Sequence, residues 1–485
     1  MRRRDFVTLA AATLGQAGAG EVWAQAGGAA PMDMGGALDP GPHAPPADFT
    51  LRIAPVAVEI APSRFISTVG YNGTSPGPVL RMREGRAVTV DVVNDSDAAE
   101  LVHWHGLFLP AQLDGAEEEG TPSIPPGARR RYHFTPRPAG TRWYHSHAMA
   151  MGDLHRGAYT GQYGFVVIDS GHDAGAFDQE VFLALRDWEH FYTDQFVDMD
   201  DQGEAPGPQP EKPAKLDTRP NGLEVMAQLY SINDKALGAG EPIRVRPGSR
   251  VLMHLLNASA VENRTLALPG HQFHVLALDG NPVPNPRSVK VVTLGPGERI
   301  DAMVEMNQPG VWILGAIDDA TRQGGLGVVV EYTGQHRPPQ WQAQPGIFWD
   351  YTVFGGAPSG RKPDQTIEMV FEKIPGGARP FNSFTVNGKV YPHEREFVLQ
   401  QGRRYRLLFR NRTDDAHPLH LHRHTFELAD VNGKLTGGIF KDTVIVPMYG
   451  RVAVDFTADQ PGLSLFHCHI QQHMDYGFKA LFRYA

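Results

Sequence analysis

The sequence predicts an all-β protein built from three consecutive Greek-key sandwich or barrel domains, and three observations carry that prediction. A glycine followed nine residues later by asparagine brackets an alternating strand three times, as Gly85 to Asn94, Gly248 to Asn257 and Gly402 to Asn411. A second pair of glycines recurs in step with the first: Gly127 and Gly140, Gly297 and Gly310, Gly450 and Gly462. Finally, 53 glycines and 39 prolines in 485 residues favour turns and short strands, and no βαβ alternation interrupts them.

Taken in order, residues 1–26 read as a signal peptide. Arg2, Arg3 and Arg4 precede Asp5 and Phe6, a mildly apolar run follows, and Ala24, Gln25 and Ala26 form a small-residue cleavage site. The arginines before Asp-Phe resemble the twin-arginine signal, which exports folded proteins across the bacterial inner membrane, so a periplasmic or secreted location is expected. Residues 27–46 read as a linker and 47–173 as the first domain, in which Val88, Val90 and Val92 alternate with Thr89 and Asp91 as in a half-buried strand. The second domain is expected over 178–333. Within it, residues 199–222 are rich in Pro, Asp and Glu and read as a surface loop, with a substrate lid as the functional alternative. The third domain is expected over 345–485.

Composition narrows the class. Hydrophobic content of 41% and charged content of 20% describe a folded soluble protein. A net charge of −9 argues against a nucleic-acid partner, and no stretch after the leader is apolar enough to be a transmembrane segment. Cys468 is the only cysteine, which excludes an internal disulfide and raises the question of what its thiol binds.

The histidines fall on the repeats. With 21 histidines in the chain, chance supplies about one His-x-His pair; five are present, and metal-ligand spacing is the physical reason to take notice. Counted from Asn94, His103 and His105 lie at +9 and +11; counted from Asn411, His420 and His422 lie at the same offsets. Counted from Gly140, His145 and His147 lie at +5 and +7, as do His467 and His469 from Gly462. In the middle copy the four places hold Leu266, Leu268, Gly315 and Ile317, which cannot bind metal. Residues i and i+2 of a strand share a face, so each pair sets two imidazoles side by side, and two such faces meeting between domains give eight around a polynuclear metal site.

The third copy adds His417, Cys468 and His473, where the first has Ser146 opposite Cys468. Two imidazoles and a thiolate describe the trigonal site of blue copper; zinc suits the same donors but cannot change oxidation state. Because Cys468 lies between His467 and His469, its backbone links the mononuclear site to the cluster.

At these residues the sequence resembles the three-domain multicopper oxidases, the group of laccases, ascorbate oxidase, bilirubin oxidase and bacterial cuprous oxidases. The motifs are HWHG from His103, WYHSH from Trp143, HPLHLH from His417 and HCHIQQH from His467, and the resemblance runs from about residue 47 to 485. It implies cupredoxin-like domains and four copper ions. Type 1 copper falls to His417, Cys468 and His473, and type 2 to His103 and His420. The type 3 pair falls to His105, His145, His147, His422, His467 and His469. The axial place of the type 1 site holds Phe478, which cannot coordinate. Arg423 replaces the glycine usual in HLHGH, giving either an altered type 1 rim or a solvated arginine.

The resemblance also implies that Asp114 relays protons to the cluster, although Asp114-Gly115 reads equally as a turn. Asp442 in FKDTV resembles the acid that orients a type 1 histidine, with a surface turn as the plain alternative. Met149, Met151 and His155 follow His147 and could pass cuprous ions, core packing being the commoner use of methionine. The expected activity is transfer of single electrons from a small donor to dioxygen, making water. The first choice of donor is a phenol or aromatic amine, and the second is cuprous or another metal ion in copper tolerance. The non-enzymatic alternative is an exported copper-binding or cell-division scaffold of the same fold.

Overall fold

The computed structural model describes residues 41, 44–171, 176–194, 221–344, 349–358, 360–393 and 396–485. The signal peptide and all but the last two residues of the 199–222 loop lie outside the described residues.

Three β-sandwiches follow one another with matching topology. In the first, one sheet runs Arg64–Tyr71, Phe49–Ala61, Val88–Asn94, Arg129–Phe134, and the facing sheet runs Leu80–Arg83, Tyr163–Asp169, Gly140–Ser146, Val102–His105. The opening strand pairs parallel with Val88–Asn94, and that strand pairs antiparallel with Arg129–Phe134, a Greek-key connection. The order repeats in the second sandwich through Gln179–Trp188, Arg250–Asn257 and Arg299–Glu305, and in the third through Gln365–Ala378, Arg404–Asn411 and Arg451–Thr457. Helices among the described residues are single turns, the longest being Asp319–Gln323 and Gln471–Asp475, and none is long and apolar enough to cross a membrane.

The repeated residues have physical causes. Gly85, Gly248 and Gly402 turn the chain into each strand with φ of 74°, 78° and 81°, a region that side chains disfavour. Each asparagine nine residues later is buried and satisfies main-chain atoms that would otherwise be stranded: Asn94 donates to Ala98 and Ile124, Asn257 to Glu262 and Leu294, and Asn411 to Asp415 and Pro447. Val88, Val90 and Val92 face inward as their alternation requires; Asp91 is buried as well, because Arg131 forks onto both of its oxygens at 2.7 Å.

Candidate metal centre

The histidine pairs occupy adjacent strands of the first and third sandwiches. His103 lies opposite His145 where Val102–His105 pairs with Gly140–Ser146, and His420 lies opposite His467 where His417–Leu421 pairs with Leu463–Cys468. The two faces meet: the His103 ring stacks on His422 at 4.0 Å and the His105 ring on His420 at 3.7 Å. In the middle sandwich Leu266 and Leu268 fill the same places and pack in the apolar core.

Protons decide which nitrogens are left to bind. His103 and His420 donate from Nδ1 to the carbonyls of Asp114 and Asp442, at 2.7 and 2.8 Å, and their Nε2 lone pairs face each other across 3.4 Å. His422 donates from Nδ1 to Asp114 and His467 to the Cys468 carbonyl, both at 2.8 Å, which leaves their Nε2 atoms facing at 3.0 Å beside His147. His145 donates to the Ser146 carbonyl, so its Nε2 joins Nδ1 of His105 and Nε2 of His469 as three buried nitrogens without a protein partner. Lone pairs converging in a dry interior repel unless a cation lies between them, so the residues fit two or more metal ions. Burial, reinforced by neighbouring imidazoles, holds His105, His145, His147, His420, His422 and His469 well below the usual imidazole range, and burial holds His467 at about 3; these rings stay neutral and ready to ligate.

The second group lies within the third sandwich. Sγ of Cys468 is 3.8 Å from His417 Nδ1 and 3.6 Å from His473 Nδ1, and the two nitrogens are 3.2 Å apart. Donors about 2 Å from a shared trigonal ion stand about 3.5 Å from one another, so this triangle also fits a metal. Burial pushes the Cys468 thiol up, and only a bound cation makes the thiolate available. The Phe478 ring centre is 4.8 Å from that of His417, and Phe384 lies 3.9 Å from His473, so aromatic carbon surrounds the triangle. The Cys468 carbonyl accepts from His467, which links this group to the larger one through one hydrogen bond as well as the chain.

The acids are placed differently from one another. Asp114 presents Oδ2 to His422 at 2.8 Å and lies 3.3 Å from His103 Nδ1; it also ends the short helix Ala111–Asp114 before Gly115. Beside it, Glu119 accepts from the Leu465 amide at 2.6 Å and lies 3.6 Å from His422, its carboxyl pushed well up by burial and then by Asp114. Sequence reasoning missed Glu119, since nothing in Glu117, Glu118, Glu119 marks one of the three. It also missed that Glu100 stands six residues after Asn94, as His417 does after Asn411, and accepts from Ser146, the counterpart of Cys468.

Three expectations need correction. Asp442 does not orient a type 1 histidine: Thr443 pairs with His420 and Val446 with His417, so residue 442 lies at the cluster end, with Oδ1 3.0 Å from His105 Nε2. His417 is held instead by Thr413 Oγ1 at 2.6 Å. Arg423 is neither solvated nor placed at the His417 group: it is buried at φ 62° and donates to the carbonyls of Leu109, Gln460, Pro461 and Leu463, tying the first sandwich to the third. Met149 and Met151 do not pack in a core; they are 38% and 43% exposed, and His155 is exposed beyond them.

With this geometry in hand, comparison with known proteins is decisive. Three models described as multicopper oxidase match residues 54–173, 179–333 and 363–485. The multicopper oxidase MmcO of Mycobacterium tuberculosis is 32% identical, covering 87% of this chain and 84% of its own. Copper resistance protein A of Escherichia coli is 25% identical over 88% and 91%. A crystal structure of a multi-copper oxidase from Pseudomonas thermotolerans superposes with a TM-score of 0.67 at 27% identity, covering 91% of this chain and all of that one. Cupredoxin-fold sandwiches around paired histidine faces define a copper protein that works on dioxygen. The chain belongs to the multicopper oxidase family and is a copper-dependent oxidoreductase with oxygen as acceptor.

Proposed function

We propose that the protein is a laccase-type oxidase with four copper ions, taking single electrons from phenols and related small donors and reducing dioxygen to water. His417, Cys468 and His473 would hold type 1 copper, and His103 and His420 type 2. His105, His145 and His469 would hold one type 3 ion, and His147, His422 and His467 the other. Copper, when bound, supplies one-electron acceptance at the mononuclear site and reduction of dioxygen at the cluster.

The observation that carries the choice of donor is the outer edge of His473. Its Nε2 is 3.8 Å from Oε2 of Glu224, which reaches across from the middle sandwich and is steadied by Asn382. Phe381 stacks on Tyr476 at 4.6 Å and contacts Tyr192 at 5.1 Å beside this edge. An aromatic donor can lie against these rings with its hydroxyl on Glu224, so that the carboxylate takes the proton as the electron leaves. Asp114 serves the other end, where its Oδ2 can pass protons toward the cluster. Export by the twin-arginine route belongs to the same reading, resting on residues 1–26.

A second reading, cuprous-ion oxidation, is favoured by one observation. The exposed residues Met149, whose sulfur accepts from Lys479 Nζ at 3.5 Å, and Met151 flank a main chain whose amides at 150 and 151 are held by Asp475, on the helix that carries His473. Steady-state turnover under air with a phenol, a cuprous complex and ferrous ion decides. The phenol should give the highest kcat/KM, and Glu224→Gln should lower it about 10-fold or more for the phenol alone. A preference for the cuprous complex that survives Glu224→Gln and is lost with the methionines would replace the first reading by the second.

A further inference from the structure

We propose that Arg299, from the sandwich that carries no metal-binding histidine pair, is a positioning residue for His105 and through it for the cluster. The inference rests on the reading of His105 as a cluster ligand.

Four of the other rings take their orientation within their own sandwich, while His422 donates from Nδ1 to the Asp114 carboxylate of the first. His103, His145, His420 and His467 donate to main-chain carbonyls, which cannot turn away. His105 has no such partner among the described residues; its Nε2 faces the side-chain Oδ1 of Asp442 at 3.0 Å, with Thr443 Oγ1 at 3.2 Å. That carboxylate is wholly buried, and its orientation is set by its partners. Arg299 sets it: Nη1 donates to Oδ1 at 2.7 Å and Nη2 to Oδ2 at 2.6 Å, a planar fork that fixes the plane of the carboxylate. Oδ1 so fixed faces His105, with the Thr443 hydroxyl donating to the same oxygen at 3.0 Å. With Nε2–H donated there, the His105 lone pair sits on Nδ1, the atom that joins Nε2 of His145 and His469 without a protein partner. In the other tautomer a proton would occupy the metal position and a lone pair would face the carboxylate.

Two further features agree. The middle sandwich also moors the loop that bears Asp442, because Oδ2 of Asp279 accepts from the amides of Asp442 and Thr443 at 3.2 and 3.1 Å. Gly106, which follows His105, has φ 82°, and a Cβ there would lie 2.6 Å from Asp442 Oδ2 and 2.9 Å from Arg299 Nη2. The glycine of HWHG is therefore required by the Arg299–Asp442 pair. A buried ion pair of this kind costs desolvation that it does not fully recover, which makes it weak evidence of stabilisation and leaves orientation as its use.

The test uses the full copper-loaded protein and reads two signals in one sample: the blue absorption of the mononuclear site, and the near-ultraviolet absorption with paramagnetic silence of the coupled pair. Arg299→Met should keep the blue signal, lose the coupled-pair signal, and retain cluster copper about 10- to 100-fold less tightly on dialysis against chelator. Should Arg299→Met fail to fold, Arg299→Lys keeps the charge without the fork and should show the same split. If both signals fall together with Tm, or if neither changes in a folded variant, the arginine is only a tie between domains and the proposal is overturned. His105→Ala separates the two levels of the argument. Loss of the coupled-pair signal there upholds the ligand reading whatever Arg299 does; its retention overturns that reading and the arginine's role with it.

Discussion

Glu100 offers a test of the repeat argument that needs no copper. It occupies in the first sandwich the place that His417 occupies in the third, is 3% exposed, and accepts from Ser146 at 3.1 Å, while Oε1 of nearby Gln162 is buried without a partner. Burial raises its carboxyl from the ordinary 4.5 to about 7, with Gln162, Ser146 and Arg156 opposing the rise. Between those values the folded protein keeps a proton that the unfolded chain has released. Stability therefore falls as pH rises through the window from 4.5 to about 7, and above it the full cost, about 3 kcal/mol, is present. Glu100→Gln preserves the shape, still accepts from Ser146 and can donate to Gln162. It should leave stability near pH 4.5 little changed and raise it at pH 8, by about 6 to 12 °C in Tm at roughly 2–4 °C per kcal/mol. Thermal scans of parent and variant at fixed rate and both pH values measure this. The same shift at both, or a loss at pH 8, would refute the assignment of a buried, proton-holding carboxyl to this place.

Further outcomes follow from the site. Cys468→Ser should abolish the blue colour and turnover while the far-ultraviolet dichroism of the β-sandwiches is unchanged; blue absorption in the folded variant would sink the thiolate assignment. Asp114→Asn should slow reoxidation of the reduced protein by dioxygen about 100-fold or more while leaving reduction by the donor unaffected, as stopped-flow mixing would show, and unchanged reoxidation would reduce Asp114 to a turn residue. Phe478→Met should lower the potential of the mononuclear site, because a thioether donates to copper where the buried ring cannot; each tenfold change in the redox ratio reads as about 59 mV in a titration. A raised or unchanged potential in the copper-loaded variant would show that residue 478 is not axial.

Much of the site was legible because it is periodic. The offsets of His103, His105, His145 and His147 repeat at His420, His422, His467 and His469, and alternation along a strand turns each offset into a shared face. The illegible part consists of partners that only folding brings near. Glu119 meets Leu465, Glu224 meets His473 and Arg299 meets Asp442, in each case between sandwiches, where no local spacing can mark them. Asp442 shows the intermediate case: its motif signals a ligand-orienting acid, but which histidine it orients depends on the register between His417–Leu421 and Thr443–Val446. Arg423 misled for a related reason. A cation in place of glycine reads as surface, yet four carbonyls from two sandwiches converge on its guanidinium.

The facing nitrogens of His103 and His420, 3.4 Å apart, belong to residues separated by 317 positions in the chain. Closing a loop of that length costs about 5 kcal/mol in chain entropy, and nothing at the facing nitrogens repays it until a cation arrives. The cluster is thus an assembly checkpoint: it cannot begin to exist until the penultimate strand has been synthesised and docked against a domain completed some three hundred residues earlier. A chain truncated near its C-terminus can fold its first sandwich and still hold only four of the eight histidines: one of the two facing at His103 and His420, two of the three with His469, and one of the three with His422 and His467. Metal uptake then reports that the polypeptide is finished.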